Sequence, residues 1–219
     1  MTRAARTETV PTGLGDARIT WHRGEGDRCV LALGHGAGGG IEARDLAALA
    51  AGLPGRQVAV ALVEQPWRVA GKKLAPAPKR LDEGWRAIWP RLAAPGLPVV
   101  SGGRSAGARV ACRTAAELGA RAVLALAFPL HPPGRPGNSR VEELTAAAAA
   151  VPLLGLQGGA DSFGTPDEFP AGHRPVEVPY ADHGFAVPKR APVTQDDTLA
   201  LIVGTVASWL ADMGLAAKE

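Results

Sequence analysis

The chemistry first becomes legible at a serine set among small residues. Gly103-Arg104-Ser105-Ala106-Gly107 fits the pattern G-x-S-x-G. Glycines two before and two after the serine remove Cβ atoms that would strike a neighbouring strand and helix. The chain can then turn tightly from one to the other and push the hydroxyl outward, as a nucleophile requires. Leu97–Ser101 ahead of it is strand-like, and Ala106–Leu118 behind it suits a helix. The same string could be a plain helix start with Ser105 as N-cap. The strand–turn–helix setting favours the nucleophile.

A serine hydroxyl needs a base, and the base needs a carboxylate to orient it. After Ser105 the histidines are His131, His173 and His183. His183 sits in Ala181-Asp182-His183-Gly184-Phe185, a loop between a last short strand and a long final helix, where a loop-borne base belongs. His131 precedes every plausible acid, and His173 lies in a Pro/Gly-rich connector. For the acid, Asp161 follows the strand Pro152–Gln157 across Gly158-Gly159-Ala160, a turn that presents it at the carboxyl edge of a sheet. Asp167, Glu168 and Asp182 compete. Asp182 adjoins His183 and would point to the opposite side of an extended segment, and Asp167 after Pro166 reads as a helix start. Asp161 is therefore the expected acid.

A tetrahedral oxyanion needs two amides. One is expected from Ala106, directly after the serine, and the other from the loop His35-Gly36-Ala37-Gly38-Gly39-Gly40 after the first buried strand. Ala37 is the candidate donor there, with Gly36 and Gly38 as flanking contacts to substrate. A phosphate cradle is the rival reading of this loop. It lacks the Gly-Lys-Ser/Thr ending of a P-loop, and no acidic residue completes a dinucleotide fingerprint, so no cofactor is expected. Arg104 could meet an acyl carboxylate or pair with a structural one. His131 could line the pocket or make a structural hydrogen bond. Trp67 could wall the pocket, although plain packing is the commoner use of tryptophan. No His, Cys, Asp or Glu cluster has metal-ligand spacing, so no metal is expected.

The elements that must position these residues alternate. Ala17–His22 reads as an outer antiparallel strand. Cys29–Leu33, Val58–Val63, Leu97–Ser101, Ala122–Phe128, Pro152–Gln157 and Val176–Pro179 read as further strands. Arg44–Leu53, Lys79–Leu92, Ala106–Leu118, Val141–Ala150 and Thr194–Met213 read as helices. Trp85, Trp89 and Trp209 fall on helix faces as core. This order predicts an α/β fold, a mostly parallel central sheet with helices on both faces. Pro66–Pro78 and Pro129–Asn138 follow strands and are too short for a cap domain, so the site should be open. Residues 1–16 are expected to be a flexible lead to one domain over 1–219.

Composition excludes other classes. The 219 residues are 46% hydrophobic and 21% charged, ordinary for a globular chain. A net charge of +3 comes from scattered basic residues, which argues against nucleic acid as a partner. The alanine run at 146–150 is too short for a bilayer, and the N-terminus has no apolar signal region, so membrane partners are not expected and the cytoplasm is the expected location. Cys29 and Cys112 read as buried free thiols.

The elbow, the His-Gly loop, Gln157-Gly158-x-x-Asp161 and Asp182-His183-Gly184-Phe185 resemble the α/β-hydrolase superfamily across nearly the whole chain. Gly102-Gly103-Arg104-Ser105 and Phe128-Pro129-Leu130-His131-Pro132-Pro133-Gly134 are similar to a small capless, dienelactone-hydrolase-like group. That group includes a vertebrate testis-expressed protein and a subunit of the nonspecific-lethal acetyltransferase complex. The resemblance implies the α/β-hydrolase fold and a triad carried by Ser105, Asp161 and His183. The nucleophile is serine, so the cysteine chemistry of true dienelactone hydrolases is not implied. The expected activity is hydrolysis of a small carboxylic ester or thioester. The alternative is a catalytically inactive hydrolase-fold protein that binds a ligand or partner.

Overall fold

The computed structural model describes residues 4–218. The chain runs β1 (Arg6–Thr12), β2 (Gly15–His22), β3 (Cys29–Gly34), α1 (Arg44–Gly52), β4 (Val58–Glu64), α2 (Pro66–Val69), α3 (Pro78–Ala93), β5 (Val99–Arg104), α4 (Ala106–Thr114), β6 (Ala122–Leu126), α5 (Val141–Ala150), β7 (Leu153–Gly158), β8 (Val176–Val178) and α6 (Gln195–Asp212). The strands form one eight-stranded sheet in the order β1-β2-β4-β3-β5-β6-β7-β8. β1 and β2 are antiparallel, β2 runs antiparallel to β4, and β4 through β8 are mutually parallel. The chain leaves β3 for β4 on one side and returns to β5 on the other. Such a reversal opens a crevice at the carboxyl ends of β3 and β5, where open α/β sheets bind ligands.

Alternation along the strands builds two cores. Val30 and Ala32 of β3 join the face covered by α3, α4 and α5, with Trp85, Ile88, Val110 and Leu144. Cys29, Leu31 and Leu33 join the opposite face under α1 and α6, with Leu46, Leu49, Ile202 and Leu210. The sheet is therefore buried on both sides, which is why its inner strands are continuous apolar runs. The two cysteines are free and buried on opposite faces, and burial pushes each thiol up to about 12. Among the described residues no helix is long and apolar enough to cross a membrane.

Three expectations need correction, the smallest being the end of α4, which falls at Thr114 instead of Leu118. The segment expected as a flexible lead over residues 1–16 carries a strand: Arg6–Thr12 form β1, paired with β2 from Arg6 opposite Trp21 to Thr12 opposite Gly15. Tertiary contacts hold this polar strand. Glu8 accepts from Trp21 Nε1 at 2.7 Å and from Arg91 at 2.6 to 3.0 Å. Residues 1–3 lie outside the described residues. Next, β5 does not stop at Ser101. Gly102, Gly103 and Arg104 pair with Leu124, Ala125 and Leu126 of β6, so the strand runs directly into the turn.

No cap domain covers the carboxyl edge. The segment after β4 carries only the four-residue α2, and the segment after β6 enters α5 without another helix.

Candidate active site

Ser105 lies between β5 and α4 with φ 55° and ψ −112°. Positive φ is costly for a residue with a Cβ, and here the turn imposes it. The turn is tight because backbone packs on backbone. A Cβ on Gly103 would sit 2.5 Å from the Gly34 carbonyl oxygen, and one on Gly107 would press into the same peptide. β3 and the elbow thus touch through main chain alone.

The structure brings Ser105, His183 and Asp161 into one hydrogen-bonded line. Ser105 Oγ is 2.9 Å from His183 Nε2, and His183 Nδ1 is 2.8 and 3.0 Å from the two Asp161 oxygens. A buried carboxylate at Nδ1 selects the tautomer that donates there, so Nε2 is free to accept the serine proton. Asp161 is itself fixed. Oδ1 accepts from the Phe163 amide at 2.8 Å and Oδ2 from Gln157 Nε2 at 2.8 Å. Gln157, wholly buried at the end of β7, also donates to the Phe128 and Gly164 carbonyls. The Phe163 ring stacks on the His183 imidazole, centroids 4.1 Å apart.

The competing acids are occupied elsewhere. Asp182 Oδ1 accepts from the Gly184 and Ala186 amides and shapes the base-bearing turn. Asp167 pairs with Arg174, and Glu168 accepts from the Thr165 amide and meets His131 Nε2 at 2.9 Å. Gly158 lets the acid loop and base loop touch, since a Cβ there would lie 2.7 Å from the Asp182 carbonyl oxygen.

On the other side, Ala106 is the first residue of α4, and the first amides of a helix have no partner within it. Its N–H is available beside Ser105. Gly36 abuts Ser105: a Cβ there would be 3.4 Å from Ser105 Cβ. Ala37 is exposed at the following turn, and Gly38 faces open space. His35 braces this loop from below. Its Nδ1 is 2.8 Å from the Gly36 carbonyl oxygen, and its Nε2 lies 3.5 Å from the Gln65 amide nitrogen. Burial holds the imidazole below its ordinary pKa, which favours the neutral ring that can donate at Nδ1 and accept at Nε2.

Other expected residues take supporting places. Trp67 is buried and packs on His35, centroids 5.4 Å apart. His131 is buried with both ring nitrogens engaged, by the Pro132 carbonyl and by Glu168, so it braces the loop that carries Asp161. Arg104 donates from Nη2 to the His183 carbonyl at 2.8 Å and faces Asp45. Sequence reasoning did not assign roles to Phe163, Gln157 or His35. Gln157 and His35 were visible as parts of motifs, whereas Phe163 had no signal, since its contact depends on how two loops meet. Among the described residues no His, Cys, Asp and Glu group could hold a metal ion.

The family profile for alpha/beta hydrolase domains matches residues 27–211. The chain belongs to the α/β-hydrolase family. Comparison with curated protein sequences found no match. Among solved structures, it is similar to an α/β serine hydrolase without lid from Xanthomonas campestris, at 19% identity and TM-score 0.66 over 94% of each chain. It is similar to the dienelactone hydrolase of Anabaena variabilis, at 18% identity and TM-score 0.70, covering 95% of this chain and 97% of that one. Esterase 2 of Thermogutta terrifontis, captured phosphonylated by cyclosarin, matches at 18% identity and TM-score 0.63, over 99% and 97% of the chains.

Proposed function

We propose that this protein is a serine hydrolase that cleaves a small carboxylic ester or thioester through an acyl-Ser105 intermediate. The observation that carries this reading is the unbroken line from Ser105 Oγ through His183 to Asp161, with the serine held at positive φ. Ser105 Oγ attacks the carbonyl carbon while its proton passes to His183 Nε2. The oxyanion is held by the Ala106 amide and an amide of the loop after β3, for which Ala37 is the candidate. As the tetrahedral intermediate collapses, His183 gives the proton to the leaving alcohol or thiol. Water then attacks the acyl-enzyme by the same route and releases the acid. Asp161 keeps its charge throughout and stabilises the imidazolium.

The open carboxyl edge, with only the four-residue α2 after β4, supports a small acyl group, and the two voids near the elbow are not lined by Ser105, Asp161 or His183. The void against Ala106, bounded by His35, Trp67 and Val110, is only about 10 Å³. A groove of about 270 Å³ is lined by Trp67 with Leu14, Lys72, Leu74 and Arg80.

The test is a fluorophosphonate probe, with intact mass and peptide mapping as readout. One adduct on the Ser105 peptide, absent in Ser105→Ala, is the expected result. A folded protein left unlabelled would overturn the enzyme reading and favour a hydrolase-fold binder.

A further inference from the structure

The residue before the nucleophile carries a charge that the reaction does not use. The Arg104 side chain is 15% exposed, enclosed at the meeting of the elbow, the loop after β3, the base-bearing loop and α1. Nη2 donates to the His183 main-chain oxygen at 2.8 Å. Nη1 lies 3.3 Å from where a Gly36 Cβ would be, and Nη2 lies 3.5 Å from the corresponding point at Gly184. Bulk at either glycine would crowd the guanidinium.

Its counterpart is Asp45 in the first turn of α1, with a fully buried carboxylate 3.5 Å from Arg104 Nε. Neither Asp45 oxygen has a hydrogen bond of good geometry, and neither does Arg104 Nε. Burial holds this carboxyl above its ordinary range, and the Arg104 charge with the amides of Asp45 and Leu46 offsets only part of that push. A buried carboxylate with so little direct bonding is costly to keep. Electrostatics gives it a use. His183 must become positive when it takes the serine proton, and an unbalanced guanidinium attached to its own loop would oppose that charge. A carboxylate on the far side of the guanidinium offsets the opposition.

We propose that Arg104 is a positioning residue that ties the nucleophile's turn to the main chain of His183, and that Asp45 balances its charge so the imidazolium can form. The elbow and the base loop are separated by 78 residues in sequence, and Arg104 makes their spacing a single mechanical unit. This inference rests on the serine-hydrolase reading, and the experiments separate the failure of one from the failure of the other.

Arg104→Gln should lower kcat by about 10²-fold, the scale of a small misplacement of a reacting group, with KM changed less than about threefold. Arg104→Lys should regain at least about tenfold of that loss, because an ammonium keeps the charge and can donate to one partner. The double variant Arg104→Gln/Asp45→Asn removes both charges and guards against a folding defect from a stranded carboxylate. It should remain as slow as Arg104→Gln. The far-downfield proton resonance of the His183–Asp161 hydrogen bond supplies a readout that needs no turnover. It should be sharp in the wild type and broadened or lost in Arg104→Gln. Wild-type kcat with an unchanged resonance in Arg104→Gln would overturn the proposal, as would recovery of full activity in the double variant. A wild type that takes no fluorophosphonate would sink the enzyme reading alone, and the resonance would still report on the tether.

Discussion

The two halves of the active edge are built on opposite rules. On the acid and base side the side chains are tied to one another: Gln157 Nε2, the Phe163 amide, Asp161 and His183 form a connected network, backed by the pair His131 and Glu168. On the side of the loop after β3, Ala37 and Gly38 are exposed, and a Cβ at Gly38 or Gly39 would meet nothing within 4 Å. Glycines occur on both sides, for different reasons. Gly103, Gly107 and Gly158 are needed because main chain approaches main chain. Gly38 and Gly39 leave space unfilled. A proton relay demands fixed distances, whereas an entry side has only to admit a substrate.

The closed half should be the more fragile. Ser105→Ala and His183→Ala should each lower kcat by about 10³-fold or more, and Asp161→Asn somewhat less, without additivity among them. Steady-state kinetics on a p-nitrophenyl ester checks this. Retained turnover in Asp161→Asn would detach the acid from the relay. Gly107→Ala should cost about 1–3 kcal/mol through forced backbone movement and lower activity at least about tenfold. With roughly 2–4 °C of Tm per kcal/mol in a chain of this length, thermal melts would resolve it.

A smaller effect is expected at the His131–Glu168 brace, and it depends on pH. The hydrogen bond from Glu168 to the Thr165 amide, then His131, holds that carboxyl below its usual 4.5. Its contribution is present above 4.5 and fades as pH falls through the lowered value. The Pro132 carbonyl, then Glu168, raises His131 above 6.5. Its contribution is full below 6.5 and fades as pH rises through the raised value. Glu168→Gln should therefore lower Tm most between about pH 4.5 and 6.5, and least near pH 9. An equal drop at all pH values would mean the pair is not ionic.

The open half should respond weakly. Short p-nitrophenyl esters, acetate to butyrate, should be cleaved at least as well as octanoate. A buried methylene would add about 0.8 kcal/mol, so a steep rise with chain length would reveal an enclosed acyl channel. Gly38→Ala should change stability by less than about 0.5 kcal/mol and leave turnover close to wild type.

Much of this division was legible in the sequence, and the remainder was not, for definable reasons. The doubly buried strands announce themselves as apolar runs, and Ser105 and His183, singled out by chain order and flanking elements, lie within hydrogen-bond distance. β1 was missed because Arg6–Thr12 is polar and contains Pro11, and what orders it is Trp21 and Arg91 from elsewhere in the chain. Gly102 and Gly103 looked like the turn when they are still strand, since two neighbouring strands supply their partners. Helix α4 ends at Thr114, short of the expected Leu118, and the chain continues in turns. Phe163 could not be read, because stacking across two loops leaves no periodic trace.

The first strand has a consequence for how the molecule behaves among its own copies. β1 closes one end of the sheet, and its outward side could template a further strand from another chain. Pro11 sits near the end of that strand and has no amide hydrogen to offer. Glu8 is drawn toward Arg91 of α3, so its charge is anchored beside the rim. An incoming strand would meet a missing donor and a fixed ion pair. At this rim the sheet presents a poor template for a further strand.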